Sequence, residues 1–305
     1  MMSAKVHPVP QESPFVRGKM THRLFIFGLG FTGMQIAKLA RARGWTVGGT
    51  CTQADKAEQL RAVGIEAVPF DGTAAVALEM VATASHVLCT IAPGAAGDPV
   101  LRHCADLLGK ARWLGYLSTT GVYGDHGGGW VDEATPTNPT QPRSIQRLAA
   151  ERAWQALGVR TGAAVDIFRL PGIYGPGRSP IDQVKAGVAK RIDKPSQVFS
   201  RINVADVAQA VVAAMVRGGP GAIYNVADDL PASSADVMAF ACELLGATTP
   251  PLVPWAEAAP SMSAMARSFY AENRRVRNER MKRELGVTLL YPTYREGLRA
   301  IADLA

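Results

Sequence analysis

The sequence is poor in cysteine, with only four among its 305 residues, at Cys51, Cys89, Cys104 and Cys242. They are scattered, with no C-x-x-C pair and no histidine at the spacing of a metal site. A disulfide framework or a structural zinc site needs such spacing. The pattern therefore predicts no metal ion, and it favours the reducing cytoplasm as the compartment of the protein.

Long hydrophobic runs are missing as well. No stretch of about 18 apolar residues could span a bilayer as a helix, and residues 1–20 lack the apolar segment of a signal peptide. We interpret residues 1–22 as a flexible N-terminal extension, in which Met20 could be the natural start. The sequence thus predicts a cytoplasmic protein without a membrane partner.

Acidic residues are outnumbered, since 26 Asp and Glu face 33 Lys and Arg, for a net charge of +7. Part of the excess lies in the first 23 residues and part in the basic run 274–283. Nucleic-acid binding is one explanation of such runs, but this one has no interleaved aromatic residue beyond Tyr270. Solvated helix faces explain both clusters better, and we predict no nucleic-acid partner.

The first apolar segment, Arg-Leu-Phe-Ile-Phe-Gly-Leu-Gly-Phe-Thr-Gly, combines a strand pattern with a glycine-rich turn. Residues 24–27 are an apolar run of strand length, Gly28, Gly30 and Gly33 follow in G-x-G-x-x-G spacing, and residues 34–43 have a helical composition. In such a unit the glycines allow a tight turn, the approach of a pyrophosphate and close packing of helix on strand. An ordinary glycine-rich turn is the alternative, but the flanking strand and helix favour dinucleotide binding.

Apolar runs of strand length alternate with helical segments as far as residue 170. The predicted strands are 24–27, 45–50, 66–70, 86–91, 113–118 and 164–170, and the predicted helices are 34–43, 55–63, 74–82, 99–108 and 144–157. This rhythm indicates an α/β protein with a Rossmann-like, doubly wound parallel sheet covered by helices on both faces. Ligands bind such sheets at the carboxyl ends of the strands, so we expect the site in the turns that follow them.

The rhythm changes after Gly175. Helices are predicted at 181–190, 206–217, 233–245 and 274–285, and extended segments at 197–204 and 222–226. We therefore predict a smaller, partly interleaved C-terminal substrate lobe. Its residues are 177–196 and 228–305, beside a dinucleotide-binding domain of residues 23–176 plus about 197–227.

Four motifs occur in a fixed order along the chain. They are Phe-Gly-Leu-Gly-Phe-Thr-Gly at 27–33, Leu-Ser-Thr-Thr-Gly-Val-Tyr-Gly at 117–124, Phe-Arg-Leu-Pro-Gly-Ile-Tyr-Gly-Pro-Gly at 168–177, and Arg-Ile-Asn-Val-Ala-Asp-Val-Ala at 201–208. Together they resemble the extended (atypical) short-chain dehydrogenase/reductase superfamily, in particular its NAD-dependent epimerase/dehydratase branch. The resemblance implies a nicotinamide cofactor and hydride transfer on a small polar substrate with a carbonyl, hydroxyl or sugar-like group.

By this resemblance, Thr119 takes the place of the catalytic Ser or Thr of the family, whose hydroxyl binds the reacting oxygen. The alternative is that residues 118–120 only bond the end of their strand. The dehydratase subgroup carries Thr-Asp-Glu on this strand, where the present sequence has Thr119, Thr120 and Gly121. Dehydration of a sugar nucleotide by that route is therefore not expected.

The proton-transfer pair of the family, a Tyr followed four residues later by a Lys, is missing. Counting back from Glu151, the sequence has Arg143 at the Tyr position and Arg147 at the Lys position. Arg147 could still hold ribose hydroxyls, because a guanidinium is always cationic and donates hydrogen bonds. Arg143 cannot act as a general base near neutral pH; it could bind an anion or be a solvated arginine at a helix start. The nearest replacements for the missing acid are Tyr123, Asp125, His126 and Tyr174, each of which also fits a packing or loop role.

The end of the second strand favours NADP, although NAD is possible. NAD-selective sites usually place a carboxylate there, whereas this strand ends with Thr50 and Thr52 and has no carboxylate before Asp55. Asp71 matches the acidic residue of the family near the adenine, although an Asp-Gly turn needs no functional reason. The full predicted cofactor-binding set is Gly28, Leu29, Gly30, Phe31, Thr32, Gly33, Thr50, Thr52, Asp71, Thr90, Ala92, Pro93, Ser118, Arg147, Leu170, Pro171, Gly172 and Ile173.

Two functions stay open. The first is an NAD(P)-dependent oxidoreductase or epimerase with a non-standard active site, whose candidate catalytic residues are Thr119, Arg143, Arg147 and Tyr123. The second is a catalytically silent NADP(H)-binding sensor or partner-binding protein. A homodimer through helices 99–108 and 144–157 is possible in either case.

Overall fold

The computed structural model describes residues 22–73 and 78–304. The predicted N-terminal extension therefore lies outside the described residues, except for its last residue, and so do residues 74–77 of one predicted helix.

The strands are β1 Arg23–Phe27, β2 Thr46–Cys51, β3 Glu66–Pro69, β4 His86–Cys89, β5 Trp113–Thr119, β6 Trp130–Val131, β7 Ala164–Leu170, β8 Gly172–Tyr174, β9 Arg191–Asp193, β10 Arg201–Asn203, β11 Ile223–Asn225, β12 Leu252–Pro254 and β13 Arg275–Val276. Seven of them form one sheet in the order β11-β7-β5-β4-β1-β2-β3. Every pairing in this sheet is parallel. The prediction of a doubly wound parallel sheet is confirmed.

The helices are α1 Phe31–Ala42, α2 Ala54–Ala62, α3 Leu78–Ala82, α4 Pro99–Cys104, α5 Pro142–Thr161, α6 Pro180–Lys185, α7 Val204–Arg217, α8 Ser234–Leu244, α9 Trp255–Ala258, α10 Ala264–Phe269, α11 Glu279–Leu285 and α12 Tyr294–Asp303. Short 3-10 helices cover Ala105–Lys110, Thr120–Tyr123 and Ala259–Ser261.

Both faces of the sheet are buried, which explains why its strands read as continuous apolar runs. On one face, Ile26 of β1 shares a core with Ile36 of α1 and Val211 of α7. On the other face, Phe27 of β1 shares a core with Trp154 of α5. The strand order reverses between β1 and β4, and such a switch point leaves a crevice at the carboxyl ends of the two strands.

A separate apolar cluster lies under α6, α8 and α12, around Ile181, Val237, Leu298 and Ile301. Two small parallel pairs, β8 with β10 and β9 with β12, border this region. These elements fall largely in the segments predicted as the substrate lobe, and the division into two domains stays a prediction.

Two predicted helices are wrong in part. The helix predicted at 181–190 ends at Lys185, because Gly187 turns the chain with φ +67, and residues 191–193 then pair with β12 as β9. The helix predicted from Arg274 begins only at Glu279, since Arg275–Val276 pairs with β6. In this extended backbone the Arg274 Nη1 donates to the Gly124 carbonyl at 2.7 Å and to the Glu272 carboxylate at 2.8 Å.

Helix α12 was not predicted, although its start carries a sequence signal. Thr293 and Glu296 form a capping box, in which the Thr293 hydroxyl accepts from the backbone N–H of Arg295 and the Glu296 carboxylate accepts from the Thr293 N–H. The Thr-x-x-Glu spacing before an apolar stripe is the usual sequence mark of such a helix.

Candidate functional site

The turn between β1 and α1 presents free backbone donors at the carboxyl edge of the sheet. The backbone N–H of Gly28 donates to the Thr50 hydroxyl at 3.0 Å, and that of Leu29 donates to the Thr50 carbonyl at 2.6 Å. Helix α1 begins after Gly30, which supplies no side-chain cap, and its first turn contains no acidic residue. Helical bonding starts with the N–H of Met34 donating to the Gly30 carbonyl, so the amides of residues 31–33 have no helical acceptor. A helix start of this kind attracts an anion.

The glycines of this turn have separate physical roles. A Cβ at Gly33 would lie 2.1 Å from the Gly28 carbonyl oxygen, so Gly33 is needed for the close approach of α1 to β1. A Cβ at Gly30 would meet nothing within 4 Å, so open space lies directly over the free amides. The cradle therefore fits a diphosphate, because both the donors and the room for it are present.

A cavity of about 210 Å³, called here the small cavity, lies against this cradle. Its walls are Gly30, Phe31, Thr32, Thr90, Leu117, Ser118, Arg147, Leu170, Ile173 and Arg178. These residues belong to the turn after β1 and the start of α1, to the turn after β4, to the last residues of β5 and β7, to α5, and to β8 and the segment after it, so they meet at the carboxyl edge of the sheet. Arginine is the only ionisable residue type among these walls.

Arg147 is the side chain of α5 that reaches the small cavity. Its Nη1 donates to the Leu117 carbonyl at 2.7 Å, the Tyr116 hydroxyl at 3.1 Å and the Ile91 carbonyl at 3.4 Å. The guanidinium also lies 5.6 Å from the centroid of the Tyr116 ring. These contacts fix the guanidinium at the ends of β4 and β5, and its Nη2 and Nε make no hydrogen bond to any described residue.

Ser118 and Thr119 end β5 in different environments. Ser118 is 5% exposed, lines the small cavity, and its hydroxyl has no hydrogen-bond partner among the described residues. The Thr119 hydroxyl accepts from the backbone N–H of Gly121 at 3.1 Å and is half-buried. An unpartnered buried hydroxyl is costly unless a ligand completes its bonding, so Ser118 is the stronger pointer to a bound molecule.

Tyr123 and Arg143 are not among the residues that line the small cavity. The Tyr123 hydroxyl is buried and donates to the Asn225 Oδ1 at 2.8 Å, and burial raises its pKa. Arg143 is exposed; its Nη2 donates to the Ser268 hydroxyl at 2.7 Å and its guanidinium lies 5.1 Å from the centroid of the Phe269 ring. In this structure Tyr123 packs in the core beneath the loop, and Arg143 links α5 to α10.

The other candidates for proton transfer are also engaged. Asp125 accepts from the Asn273 N–H at 2.7 Å, which lowers the pKa of its carboxyl. One ring nitrogen of His126 lies 3.2 Å from the Tyr123 carbonyl. Tyr174 lines a second cavity, and burial raises its pKa far above the ordinary value for tyrosine.

The residues predicted to hold the adenosine half are placed as follows. Thr50 is fully buried and its hydroxyl is used by the turn, while Thr52 is exposed at the end of β2. Asp71 is exposed, and hydrogen bonds from the N–H and hydroxyl of Thr73 lower the pKa of its carboxyl. Ala92, which is exposed, and the half-buried Pro93 follow β4.

The segment after β7 connects the two cavities. Leu170 lines the small cavity, Ile173 lines both cavities, and Gly172 lines a larger one of about 420 Å³, called here the large cavity. Pro171, between these residues, is half-buried. Arg178 also lines both cavities and was missed by the sequence analysis, although it directly follows the motif that ends at residue 177.

Among the described residues, no helix is both long and apolar enough to pass through a bilayer. The same residues contain no group of three or more His, Cys, Asp or Glu side chains that could hold a metal ion.

The sheet order and the glycine cradle define an α/β protein of the Rossmann-like class. The sequence model of the NAD dependent epimerase/dehydratase family matches residues 95–227. Protein YeeZ of Escherichia coli (strain K12) is 30% identical over 217 residues, which cover 67% of this chain and 77% of that protein. This chain belongs to the NAD-dependent epimerase/dehydratase family, as the sequence motifs predicted.

Solved structures extend the similarity over nearly the whole chain. A functionally unknown conserved protein from Silicibacter pomeroyi DSS is 46% identical, with a TM-score of 0.84 over 93% of this chain and 99% of that one. The dTDP-glucose 4,6-dehydratase of Bacillus anthracis, solved in complex with NAD, has a TM-score of 0.73 at 18% identity over 92% of this chain and 95% of that one. The second likeness supports the fold alone.

Proposed function

We propose that this protein binds NADP(H) and transfers a hydride to or from a small polar substrate. The observation that carries the proposal is the open cradle of free amides at residues 31–33, which leads into a cavity walled by strand ends. Dinucleotides bind at this place in parallel sheets of this topology.

The chain offers a partner for each part of the cofactor. The amides of residues 31–33 face the position of a diphosphate, and the free nitrogens of Arg147 are available for ribose hydroxyls or for phosphate. By analogy with the family, Leu170 and Ile173 would lie beside the nicotinamide. When bound, the cofactor supplies or accepts the hydride, and the protein must bind, orient and stabilise charge.

Ser118 and Arg147 are the side chains best placed to bind the reacting oxygen of the substrate. Both line the small cavity, and Ser118 has an unused hydroxyl. The hydroxyl would donate to a carbonyl oxygen, and the guanidinium would stabilise the negative charge that develops on it during reduction. Thr119, the expected catalytic hydroxyl, follows Ser118 at the end of β5, accepts from the Gly121 N–H and is not among the lining residues of the small cavity.

The proton for that oxygen has no donor of suitable pKa on these walls. The small cavity contains no Tyr, His, Lys or carboxylic acid among its lining residues. In a carbonyl reduction the proton would therefore come from solvent, while hydride and proton together convert the carbonyl to an alcohol. Such an enzyme would be slower than one with a positioned acid by about two to four orders of magnitude.

The absence of a proton donor among the lining residues of the small cavity supports the second candidate, a silent NADP(H)-binding sensor. Tyr123 and Arg143 do not line the small cavity and are bonded to Asn225 and Ser268, so neither replaces the missing acid in the described geometry. Binding without turnover of any substrate is the expected behaviour of that alternative.

NADP is proposed over NAD because no carboxylate stands at the end of β2. Thr52 is exposed there and can donate to a 2′-phosphate, whereas the Thr50 hydroxyl already accepts from Gly28. A carboxylate at this place would repel the phosphate and bind the ribose hydroxyls of NAD instead.

Titration of the purified chain with NADPH and NADH, followed by a screen for cofactor oxidation with carbonyl compounds, tests the proposal. Ser118→Ala and Thr119→Val report on the reacting oxygen, and loss of one such donor should lower kcat by roughly 10²–10³. Ser261→Ala is the matched control, because its exposed hydroxyl only donates to the Ala258 carbonyl. Binding of neither nucleotide would end the proposal, and binding without turnover would favour the sensor.

A further inference from the structure

The large cavity adjoins the small cavity and is not used by the chemistry proposed above. It has about 420 Å³, against about 210 Å³ for the small cavity. Its walls come from β8, α6, α8 and α12, and apolar side chains such as Val188, Val237 and Leu298 contribute to them. These walls suit the hydrocarbon part of a small ligand.

Charged side chains complete the lining, and positive charge is in excess. Arg178 and Arg201 face a single carboxylate, that of Asp182. The Asp182 carboxylate accepts from the Ser179 hydroxyl at 2.6 Å. Among the described residues, no carboxylate oxygen lies within 4.0 Å of either guanidinium. Such walls favour an anionic ligand.

Backbone carbonyls fix the position of the Arg201 guanidinium. Its Nη1 donates to Phe199 at 2.8 Å and to Ala232 at 2.9 Å, and its Nη2 donates to Ser233 at 3.4 Å. Burial raises the pKa of the neighbouring Asp228 carboxyl to about 8. No ion pair joins Arg201 to a carboxylate of the described residues.

Arg178 stands where the two cavities meet. Its guanidinium lies 5.5 Å from the centroid of the Phe31 ring, and Phe31 is the first residue of α1. The side chain is exposed, and its guanidinium donates no hydrogen bond to any described residue. Stacking on an aromatic ring leaves the in-plane N–H groups of an arginine free for bidentate binding of an oxyanion.

We propose that the large cavity binds the substrate through an oxyanion, a carboxylate or a phosphate ester, which pairs with Arg178. Arg201 adds a second positive charge from the buried side, and the apolar walls hold the rest of the molecule. The inference rests on the proposed function, since it takes the molecule in the large cavity to be the substrate. An anion held at this junction places its neighbouring carbonyl toward the small cavity.

Calorimetric titration of the full chain with three related probes tests the inference. Phenylpyruvate carries a carboxylate, phenyl phosphate carries a phosphate ester, and phenylacetone is an uncharged analogue of the first. We expect one of the two anions to bind and phenylacetone to bind at least about tenfold more weakly, because a charge-assisted hydrogen bond is lost. The preferred anion identifies the oxyanion.

Substitutions then assign the binding to Arg178. Arg178→Met should weaken the preferred anion by roughly 10- to 100-fold, and Arg178→Lys should restore part of the affinity because the charge returns. Arg152→Met is the matched control, since Arg152 is exposed on α5 and lines neither cavity. Arg178 is exposed, so its variants should fold, and circular dichroism checks this.

Three outcomes would overturn the inference. The first is that neither anion binds at millimolar concentration, and the second is that Arg178→Met and Arg152→Met change anion affinity equally. The third is that Arg178→Met weakens only NADPH, which would assign the guanidinium to the cofactor. If the chain binds no dinucleotide but still binds an anion through Arg178, the inference stands and the proposed function fails.

Discussion

A serine at Gly30 should weaken dinucleotide binding and leave the stability of the fold unchanged. A serine at Gly33, one turn further along, should destabilise the fold. At Gly30 a Cβ enters open space over the free amides, and Gly30 is the N-cap of α1. A serine there accepts from one of those amides itself, as serine commonly does at this position. The variant should therefore fold normally and compete with a bound diphosphate for the same donors.

The magnitudes follow from the contacts. Serine and glycine differ by only a few tenths of a kcal/mol as N-caps, so Gly30→Ser should leave the free energy of unfolding nearly unchanged. Loss of one hydrogen bond to a charged phosphate costs about 1.5–3 kcal/mol, which is roughly a 10- to 150-fold loss of dinucleotide affinity. At Gly33 the new Cβ would lie 2.1 Å from the Gly28 oxygen and 3.1 Å from its carbon. Both atoms are backbone, so α1 must move from β1, at a cost of roughly 1–3 kcal/mol or more.

Urea unfolding without ligand, and titration with NADPH, separate the two effects. We expect Gly30→Ser to unfold at the wild-type urea concentration and to bind NADPH weakly, and Gly33→Ser to unfold at a lower concentration. Wild-type affinity in Gly30→Ser would mean that the cradle is an ordinary turn, and wild-type stability in Gly33→Ser would refute the close packing of α1 on β1.

Three further predictions concern ionisable side chains. Because burial raises the pKa of Asp228 to about 8 from 3.8, the folded state holds its proton between these values while the unfolded state loses it, so stability falls as pH rises through this window. Asp228→Asn should remove this loss, which is about 4 kcal/mol when urea unfolding is compared at pH 5 and pH 9; an equal pH dependence in both proteins would contradict it. Glu151→Gln removes the negative charge that pairs with the buried Arg169 and keeps only one oxygen to accept its two hydrogen bonds of 3.2 and 2.8 Å, so it should destabilise the fold by about 3–5 kcal/mol. Glu151→Leu combined with Arg169→Met should cost less in the same unfolding assay. Arg147→Met should weaken NADPH binding about tenfold by titration, and unchanged binding would remove this residue from the cofactor site.

Much of the fold could be predicted from the sequence, because the sequence patterns that indicate strands and turns are local. Six of the seven strands of the main sheet have four to seven residues and β11 has three, most of their residues are buried, and their bounds differ from the prediction by only a few residues. The first turn was equally clear, since the roles of Gly30 and Gly33 depend on the absence of a side chain and on little else. Four motifs in order identified the family, which the comparisons confirm.

Elements stabilised by distant partners were predicted poorly. Residues 275–276 have the composition of a basic helix, but they extend because they pair with β6, which lies some 140 residues earlier in the chain. Thr50 is predicted to donate to a cofactor phosphate, and the structure adds that its hydroxyl accepts from the backbone N–H of Gly28, which the sequence did not indicate. No local pattern records which backbone group a hydroxyl will meet.

The sequence by itself determined the parallel sheet and the glycine cradle. It also showed that the Tyr and Lys pair is absent and that two arginines occupy its positions. Tertiary structure decided where those arginines go. Arg147 and Arg143 are one turn apart on α5, yet the first is bound by the ends of β4 and β5 and the second reaches α10. The tertiary structure also places Arg178 where the two cavities meet. A side chain is directed by whichever elements pack around its helix or turn, and those elements come from distant parts of the chain.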